Sequence, residues 1–404
     1  MQRIVITGLG VISPIGNNVA DFRNNLFAGK GGIEIVTFPV RGEEISFPGA
    51  PVRNFDLGDT CDPKKAPMMD RFAQFAVAAA TQAFRDSGLS LTSEMAEKMA
   101  VITGTGVGGM NTLEDSYYKL LAPLAPGRVH PFTIPRLMAN AGSSQISMAL
   151  GITGPGFTVA SACASAIHAM GVTLSMMRSG LIDAAITGGA EACLTYGTLK
   201  GWEALRVMAP DVCRPFSAGR TGMVLGEGAA MFVLETEEKA RKRGAKIYGE
   251  FAGFGMSSDA KDITTPDVKG AARAIANCLR DAQITPEAVD YINAHGTGTR
   301  INDVMETAAV KLSLGEHAKK IALSSSKSIF GHALGAAGAL EMLATILSVH
   351  ENVAPPTINY QTPDPECDLD YVPNEARQMP IHLALNNSFA FGGLNAAVAV
   401  RKMS

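Results

Sequence analysis

Short runs of apolar and β-branched residues, most of them ending at a glycine or serine, recur along this chain with longer helical patterns between them. The runs fall at 4–8, 99–104, 184–188, 231–235, 291–294, 321–324 and 396–400, and the helical patterns at 70–87, 270–282, 303–314 and 335–350. Within the runs, apolar residues occupy consecutive rather than alternate positions, so each strand is to be covered on both faces. That demands helices on both sides of a sheet and predicts an α/β fold. Hydrophobic residues make up 47% of the 404 positions and charged ones 18%, which supplies the apolar surface such a core requires. A charged helical stretch around 235–249 divides the chain into halves at 1–250 and 251–404.

Bulk properties exclude several classes. A net charge of −3 argues against nucleic acid as the main partner. No run of about 18 uninterrupted apolar residues is present, so no membrane span is expected. The N-terminus opens as a strand, without a basic segment followed by an apolar leader, so a secretory signal is not expected. Six cysteines are scattered without paired metal-type spacing, which reads as reduced thiols in a cytoplasmic protein with no bound metal.

One of those cysteines stands apart. From Thr158 to Gly171 the chain reads Thr-Val-Ala-Ser-Ala-Cys-Ala-Ser-Ala-Ile-His-Ala-Met-Gly, an extended run that turns abruptly into a helical pattern. Cys163 is thereby placed at a strand-to-helix elbow, near free N–H groups that could hold an oxyanion. The positive end of the helix is expected to lower the thiol's pKa. Its neighbours Ser161, Ala162, Ala164 and Ser165 are all small and leave room for an acyl group. The remaining cysteines lack this setting and read as small core residues.

Far downstream, His295 lies in Asn-Ala-His-Gly-Thr-Gly-Thr and His332 in Lys-Ser-Ile-Phe-Gly-His-Ala-Leu-Gly. A cysteine with distant histidines in glycine-rich loops is the pattern of covalent thiol catalysis. Two neutral imidazoles near one sulfur could stabilise an enolate and move a proton. Lys327 precedes His332 by five positions; if buried it needs a carboxylate, for which Asp303 and Glu306 are candidates. Thr297 and Thr299 alternate after His295, either to bond an extended amide-bearing ligand or to stabilise the turn. Histidines 130, 168, 317, 350 and 382 have no such loops and read as structural or surface groups.

A competing motif is Gly104-Thr-Gly-Val-Gly-Gly109, which formally matches the dinucleotide fingerprint. That fingerprint wants an acid about 20 residues on, to hold the ribose. Residues 116–182 contain none, which disfavours a nucleotide oxidoreductase.

Taken together, four motifs in order resemble the β-ketoacyl-acyl carrier protein synthases, the elongating branch of the thiolase superfamily. They are Ala162-Cys-Ala-Ser165, Asn293-Ala-His-Gly-Thr297, Lys327-Ser-Ile-Phe-Gly-His332 and Leu334-Gly-Ala-Ala-Gly338, and the resemblance spans nearly the whole chain. It implies a thiolase-like duplicated βαβαβαββ core in five αβαβα layers. It also implies an activity: an acyl group held on Cys163 condenses with malonyl-acyl carrier protein, with loss of CO₂, in fatty-acid or related chain synthesis. By the same resemblance His295 and His332 promote decarboxylation, and Lys327 paired with Glu306 organises the site. The N–H groups of Cys163 and Phe391 form the oxyanion hole, Phe391 gates access, and Val107 stands at the pocket mouth. Acyl carrier protein is the implied partner, docking on Lys64, Lys65, Arg71, Arg128 and Arg206. No cofactor is implied beyond the carrier's phosphopantetheine arm. The implied assembly is a homodimer, with a heterodimer containing a chain-length-factor-like subunit as the alternative.

There are departures from the family pattern. The usual Ser-Phe-Gly-Phe-Gly-Gly-Thr-Asn reads Ser388-Phe-Ala-Phe-Gly-Gly-Leu-Asn395, and the usual His-Gly-Thr-Ser-Thr-Pro ends in Arg300. Thr198 and Trp202 stand where smaller or phenylalanine side chains usually flank the acyl pocket. These features are closer to a specialised branch of the nodulation protein E type. A non-catalytic chain-length factor would lack the nucleophile, and a thiolase would want a second cysteine near residues 390–395; neither condition holds here.

Overall fold

Ten strands of the computed structural model, which describes residues 2–121 and 127–403, form the framework of the chain. They are β1 (Ile4–Ile12), β2 (Met99–Gly104), β3 (Gly156–Val159), β4 (Ala184–Glu191), β5 (Gly228–Thr236), β6 (Gly249–Ser258), β7 (Tyr291–Asn293), β8 (Ala322–Ser324), β9 (Leu383–Ala390) and β10 (Leu394–Arg401). Every residue of β1, β2, β4, β5 and β9 is buried, as expected of strands covered on both faces.

Strand order shows a duplication. The first half runs β1-β5-β4-β2-β3 and the second β6-β10-β9-β7-β8, so each half orders its strands 1-5-4-2-3. Pairing agrees too: β2 is parallel to β3 and β4, β7 is parallel to β8 and β9, and the other pairs within each half are antiparallel. The halves meet where β1 pairs with β6, at Val5–Glu250 and Ile6–Gly249.

Six helices complete the layers: α1 (Arg71–Ser87), α2 (Ala141–Leu150), α3 (Ser165–Arg178), α4 (Val268–Asp281), α5 (Arg300–Leu314) and α6 (Ala337–Glu351). Helices α3 and α6 touch each other and strands of both halves, so they form the middle layer. Helices α1 and α2 cover the first half from outside, and α4, backed by α5, covers the second. The result is five layers, αβαβα.

The middle layer explains the abundance of small residues. Residues 337–349 of α6 are buried all round, as expected of a helix that is apolar on every face. A Cβ on Gly104 would lie 2.4 Å from the backbone N of Ala166, so glycine at the end of β2 lets α3 begin against the sheet. A Cβ on Gly171 would fall 2.4 Å from the Phe254 ring.

Residues 386–395 belong largely to strands. The turn is confined to 391–393, between β9 and β10. Asn386, Asn387 and Ser388, polar residues of β9, are all buried, and the amide of Asn386 donates to the Gly338 carbonyl at 2.9 Å. Loops leaving the C-terminal ends of β3, β7, β8 and β9 converge on one place, carrying Cys163, His295, His332 and Phe391 respectively.

Candidate active site

Cys163 is held by a strained elbow. Ala162 adopts φ +49°, a left-handed conformation that costs a non-glycine residue roughly 1–2 kcal/mol. Ser165 opens α3 and holds the bend: its Oγ donates to the Ala162 carbonyl at 2.7 Å and accepts from the Ser161 N–H at 2.9 Å. His168, one of the histidines read as structural or surface groups, shares a 2.7 Å hydrogen bond between Nδ1 and Ser161 Oγ and so braces the elbow from one turn below.

The thiol does not behave as its elbow position predicted. Burial pushes its pKa up to about 11, against the lowering influence of the Lys327 charge and of the Cys163 and Phe391 N–H groups beside the sulfur. The sulfur therefore rests as a neutral thiol, and the N–H groups favour negative charge only as it forms.

Donor atoms of Cys163, His295 and His332 all lie within 4.8 Å of one another. The two imidazoles stand edge to face, with centroids 5.5 Å apart and planes at 87°. Burial, reinforced by the charge of Lys327, holds both well below the ordinary histidine range, so both rings are neutral. Their tautomers follow from their partners. Nδ1 of His332 accepts from the Leu334 N–H at 3.1 Å, and Nδ1 of His295 accepts from Lys327 Nζ at 3.3 Å. Each ring must carry its proton on Nε2. Both rings are then hydrogen-bond donors toward the sulfur, and neither offers a free lone pair to a metal ion there.

Lys327 is wholly buried, and its partner differs from the expected Glu306. Its ammonium pairs with Glu341 of α6 and donates to the His295 carbonyl at 2.6 Å. Glu306 is committed elsewhere: its oxygens accept the N–H groups of His295 and Gly296 at 2.8 and 2.7 Å, fixing the histidine loop by its backbone. Burial raises the carboxyls of both Glu306 and Glu341 to about 7. Asp303, the other candidate, bonds the Phe216 and Gly298 N–H groups and faces Arg220. Glu341 was missed from sequence, although it is the one acid within an otherwise apolar and small-residue helical run at 337–349.

A cavity of about 570 Å³ leads to these three residues. Thr297, Thr299, Trp202, Arg206 and Phe391 all line it. Phe391 sits at the β9–β10 turn with its ring 5.6 Å from that of Trp202. The hydroxyls of Thr297 and Thr299 bond each other at 2.8 Å. Two expected lining residues do not reach the cavity: Val107 is exposed on the surface, and the Thr198 hydroxyl accepts at 3.1 Å from Thr195, the residue that caps helix Tyr196–Ala204. Of the five basic residues expected to dock a carrier, only Arg206 is at the cavity. Arg71 is spent on Glu227, which it grips through Nε and an NH2 group, and on the Phe75 ring. Lys64, Lys65 and Arg128 are exposed and do not line the cavity.

The Gly104–Gly109 loop is closed to nucleotides for a physical reason. Glu191 is buried at the end of β4 and accepts the N–H of Gly106 at 2.6 Å and that of Gly335 at 3.0 Å. It also accepts the Thr105 hydroxyl at 2.8 Å. An internal carboxylate thus occupies the N–H groups a phosphate would need, and links this loop to the segment after His332.

Comparison with known proteins agrees with this arrangement. Residues 1–240 match the family model described as the β-ketoacyl synthase N-terminal domain, and residues 248–361 match the C-terminal domain. The chain is 44% identical over 410 residues to 3-oxoacyl-[acyl-carrier-protein] synthase 2 of Synechocystis sp., covering 99% of this chain and 98% of that one. It is also 44% identical over 403 residues to nodulation protein E of Rhizobium sp., with full coverage of both. Among solved structures, the ishigamide ketosynthase/chain length factor superposes with a TM-score of 0.94 at 37% identity, again over 100% of both chains.

Two outcomes follow from the geometry. Iodoacetamide labelling of Cys163 is expected to accelerate about tenfold per pH unit from about pH 7 to about pH 10, because the thiolate fraction is still rising there; a plateau already present near pH 7 would contradict the neutral thiol. Glu341→Gln leaves the Lys327 charge buried without its counter-ion and is expected to lower stability by about 3 kcal/mol, read from the urea midpoint. An unchanged midpoint would mean that Lys327 draws its compensation from elsewhere.

Proposed function

The chain belongs to the β-ketoacyl synthase family, and from that membership and its site we propose that it extends acyl chains by decarboxylative condensation on acyl carrier protein. The observation that carries this reading is the convergence of one thiol with two neutral Nε2–H imidazoles at the end of a single cavity.

The sequence of steps follows from the donors present. Cys163 Sγ attacks the carbonyl carbon of an acyl thioester, and the oxygen takes up negative charge between the Cys163 and Phe391 N–H groups. The pantetheine sulfur leaves and takes up the proton that the cysteine loses. A malonyl thioester then enters the emptied cavity, and its C–C bond to the carboxylate breaks to release CO₂. The electron pair becomes an enolate whose oxygen accepts from His295 and His332 Nε2–H. The enolate carbon attacks the acyl carbonyl, and the Cys163 sulfur departs as a thiolate and takes a proton from solvent, the one proton the condensation consumes. Neutral imidazoles suit this work because a donor that keeps its proton stabilises the enolate without quenching it. Lys327 acts through His295 by fixing its tautomer, and Glu306 by fixing its loop. No cofactor beyond the carrier's arm enters these steps.

Arg206 is the docking residue we retain for an acidic carrier, with steering by charge as the reason. The protein is read as cytoplasmic; no helix among the described residues is long and apolar enough to cross a membrane. A homodimer is supported by the outer edge of β3, which has no strand partner among the described residues. Phe157 on β3 and Met148 on α2 are exposed apolar side chains on neighbouring elements. A ketosynthase and chain-length-factor pair remains the second reading, favoured by the structural neighbour of that description.

The test is intact mass after mixing with acyl-carrier proteins of graded chain length. An acyl adduct on Cys163, absent in Cys163→Ala, is expected; an adduct on another cysteine would overturn the assignment. His332→Ala is expected to slow condensation about a hundredfold while Cys163 still acylates, since it removes one enolate donor. Equal loss of both half-reactions would contradict that role.

A further inference from the structure

Polarity changes along the cavity. Its inner end presents the Cys163 thiol and two uncharged imidazoles, and further lining positions offer the hydroxyls of Thr221, Thr297 and Thr299. Three arginines also line it, at 206, 220 and 300. Arg220 is buried and neutralised by Asp303 and Asp364. Arg206 and Arg300 are exposed, and neither forms an ion pair among the described residues. The one exposed acid on the lining, Asp262, has its carboxylate turned into its own loop, where it accepts the N–H groups of Thr264 and Thr265. Two uncommitted guanidinium groups therefore stand on the solvent side of a cavity whose inner end carries no net charge.

A ligand that matches this pattern is anionic at its outer end, amide-bearing in the middle and a thioester at its inner end. We propose that Arg300 binds the phosphate of a phosphopantetheine thioester, with Arg206 as the second cation, so that the enzyme selects its donor by the phosphate as well as by the thioester. This rests on the reading that Cys163 takes an acyl group from a pantetheine thioester. Arg300 is well placed for the task. It is the first residue of α5 and directly follows Thr299, so the backbone that fixes His295 and the two threonines also fixes the base of its side chain. A planar guanidinium grips phosphate oxygens in pairs, which a lysine in its place would not reproduce.

The phosphate could reach the site on a carrier protein or on a small molecule, and the experiment separates these sources. Wild-type protein is mixed with the acyl chain that loads Cys163 fastest in the graded series, presented as the carrier thioester, the free 4′-phosphopantetheine thioester and the unphosphorylated pantetheine thioester. Loading is followed by intact mass. The expected result is that the phosphorylated small donor loads with a kcat/KM about tenfold above the unphosphorylated one, a factor that equals about 1.4 kcal/mol. That ratio is expected to fall to about one in Arg300→Gln, mainly through KM, and to recover only in part in Arg300→Lys. Equal loading of the two small donors by the wild type, or a ratio unchanged in Arg300→Gln, would overturn the proposal. Loss confined to the carrier thioester would also overturn it, since Arg300 would then be touching the carrier protein and not the phosphate. Failure of every donor to load the wild type would instead sink the underlying reading of Cys163, and is told apart because no ratio is then measurable.

Discussion

A lysine ammonium with no access to water sets the terms for the rest of this site. Lys327 can be buried only because Glu341 supplies the opposite charge and the His295 carbonyl and Nδ1 accept its remaining protons. A charge so placed is costly to desolvate and cannot be moved without leaving its partners uncompensated, so it fixes geometry more than it adds stability. From it follow the tautomer of His295, part of the low proton affinity that burial chiefly gives both imidazoles, and part of the pull on the thiol. The ion pair thus makes His295 a donor toward the sulfur, as the Leu334 N–H does for His332.

Duplication brings these groups together. Each half offers the C-terminal ends of its parallel strands at the same position in the 1-5-4-2-3 order, and the helices that follow, α3 and α6, lie side by side between the two half-sheets. The nucleophile therefore comes from one half and both histidines from the other, with Lys327 leading the segment to His332 and Glu341 coming from the helix behind it. Local strain is concentrated at the elbow, where Ala162 is held left-handed by three side-chain hydrogen bonds from Ser161, Ser165 and His168. Strain persists only where surrounding structure over-determines it, and here it aims a sulfur at two N–H donors.

Much of this was legible in the chain itself. Apolar runs buried on both faces announced the layered α/β fold, and Cys163, His295 and His332 stood out because each lies in a loop of small residues after a strand. What escaped reading shares a cause: the partner of a buried polar group is chosen in three dimensions. Glu306 is nearer to His295 in sequence and was the natural match for Lys327, yet its carboxylate is consumed by backbone N–H groups, and Glu341, 14 positions beyond the lysine in an apolar helix, takes it. Arg71 looked free to dock a carrier because its partner Glu227 is 156 positions away. The burial of Asn386 and Asn387 on β9 was not legible either, because buried asparagines leave no mark in hydropathy. The elbow's effect on Cys163 was misjudged for a related reason, since spacing reveals the helix end but not the depth at which the sulfur is buried.

The central claim is that His295 and His332 are both neutral Nε2–H donors while Cys163 waits as a thiol. Nitrogen-15 NMR of histidine-labelled protein near pH 7 tests it directly, with His295→Ala and His332→Ala variants to assign the two signals. Two rings with protonated Nε2 and unprotonated Nδ1 are the result the account predicts. Either ring found as an imidazolium, or with its proton on Nδ1, would contradict it, and an enolate-stabilising pair of donors could no longer be the basis of the chemistry.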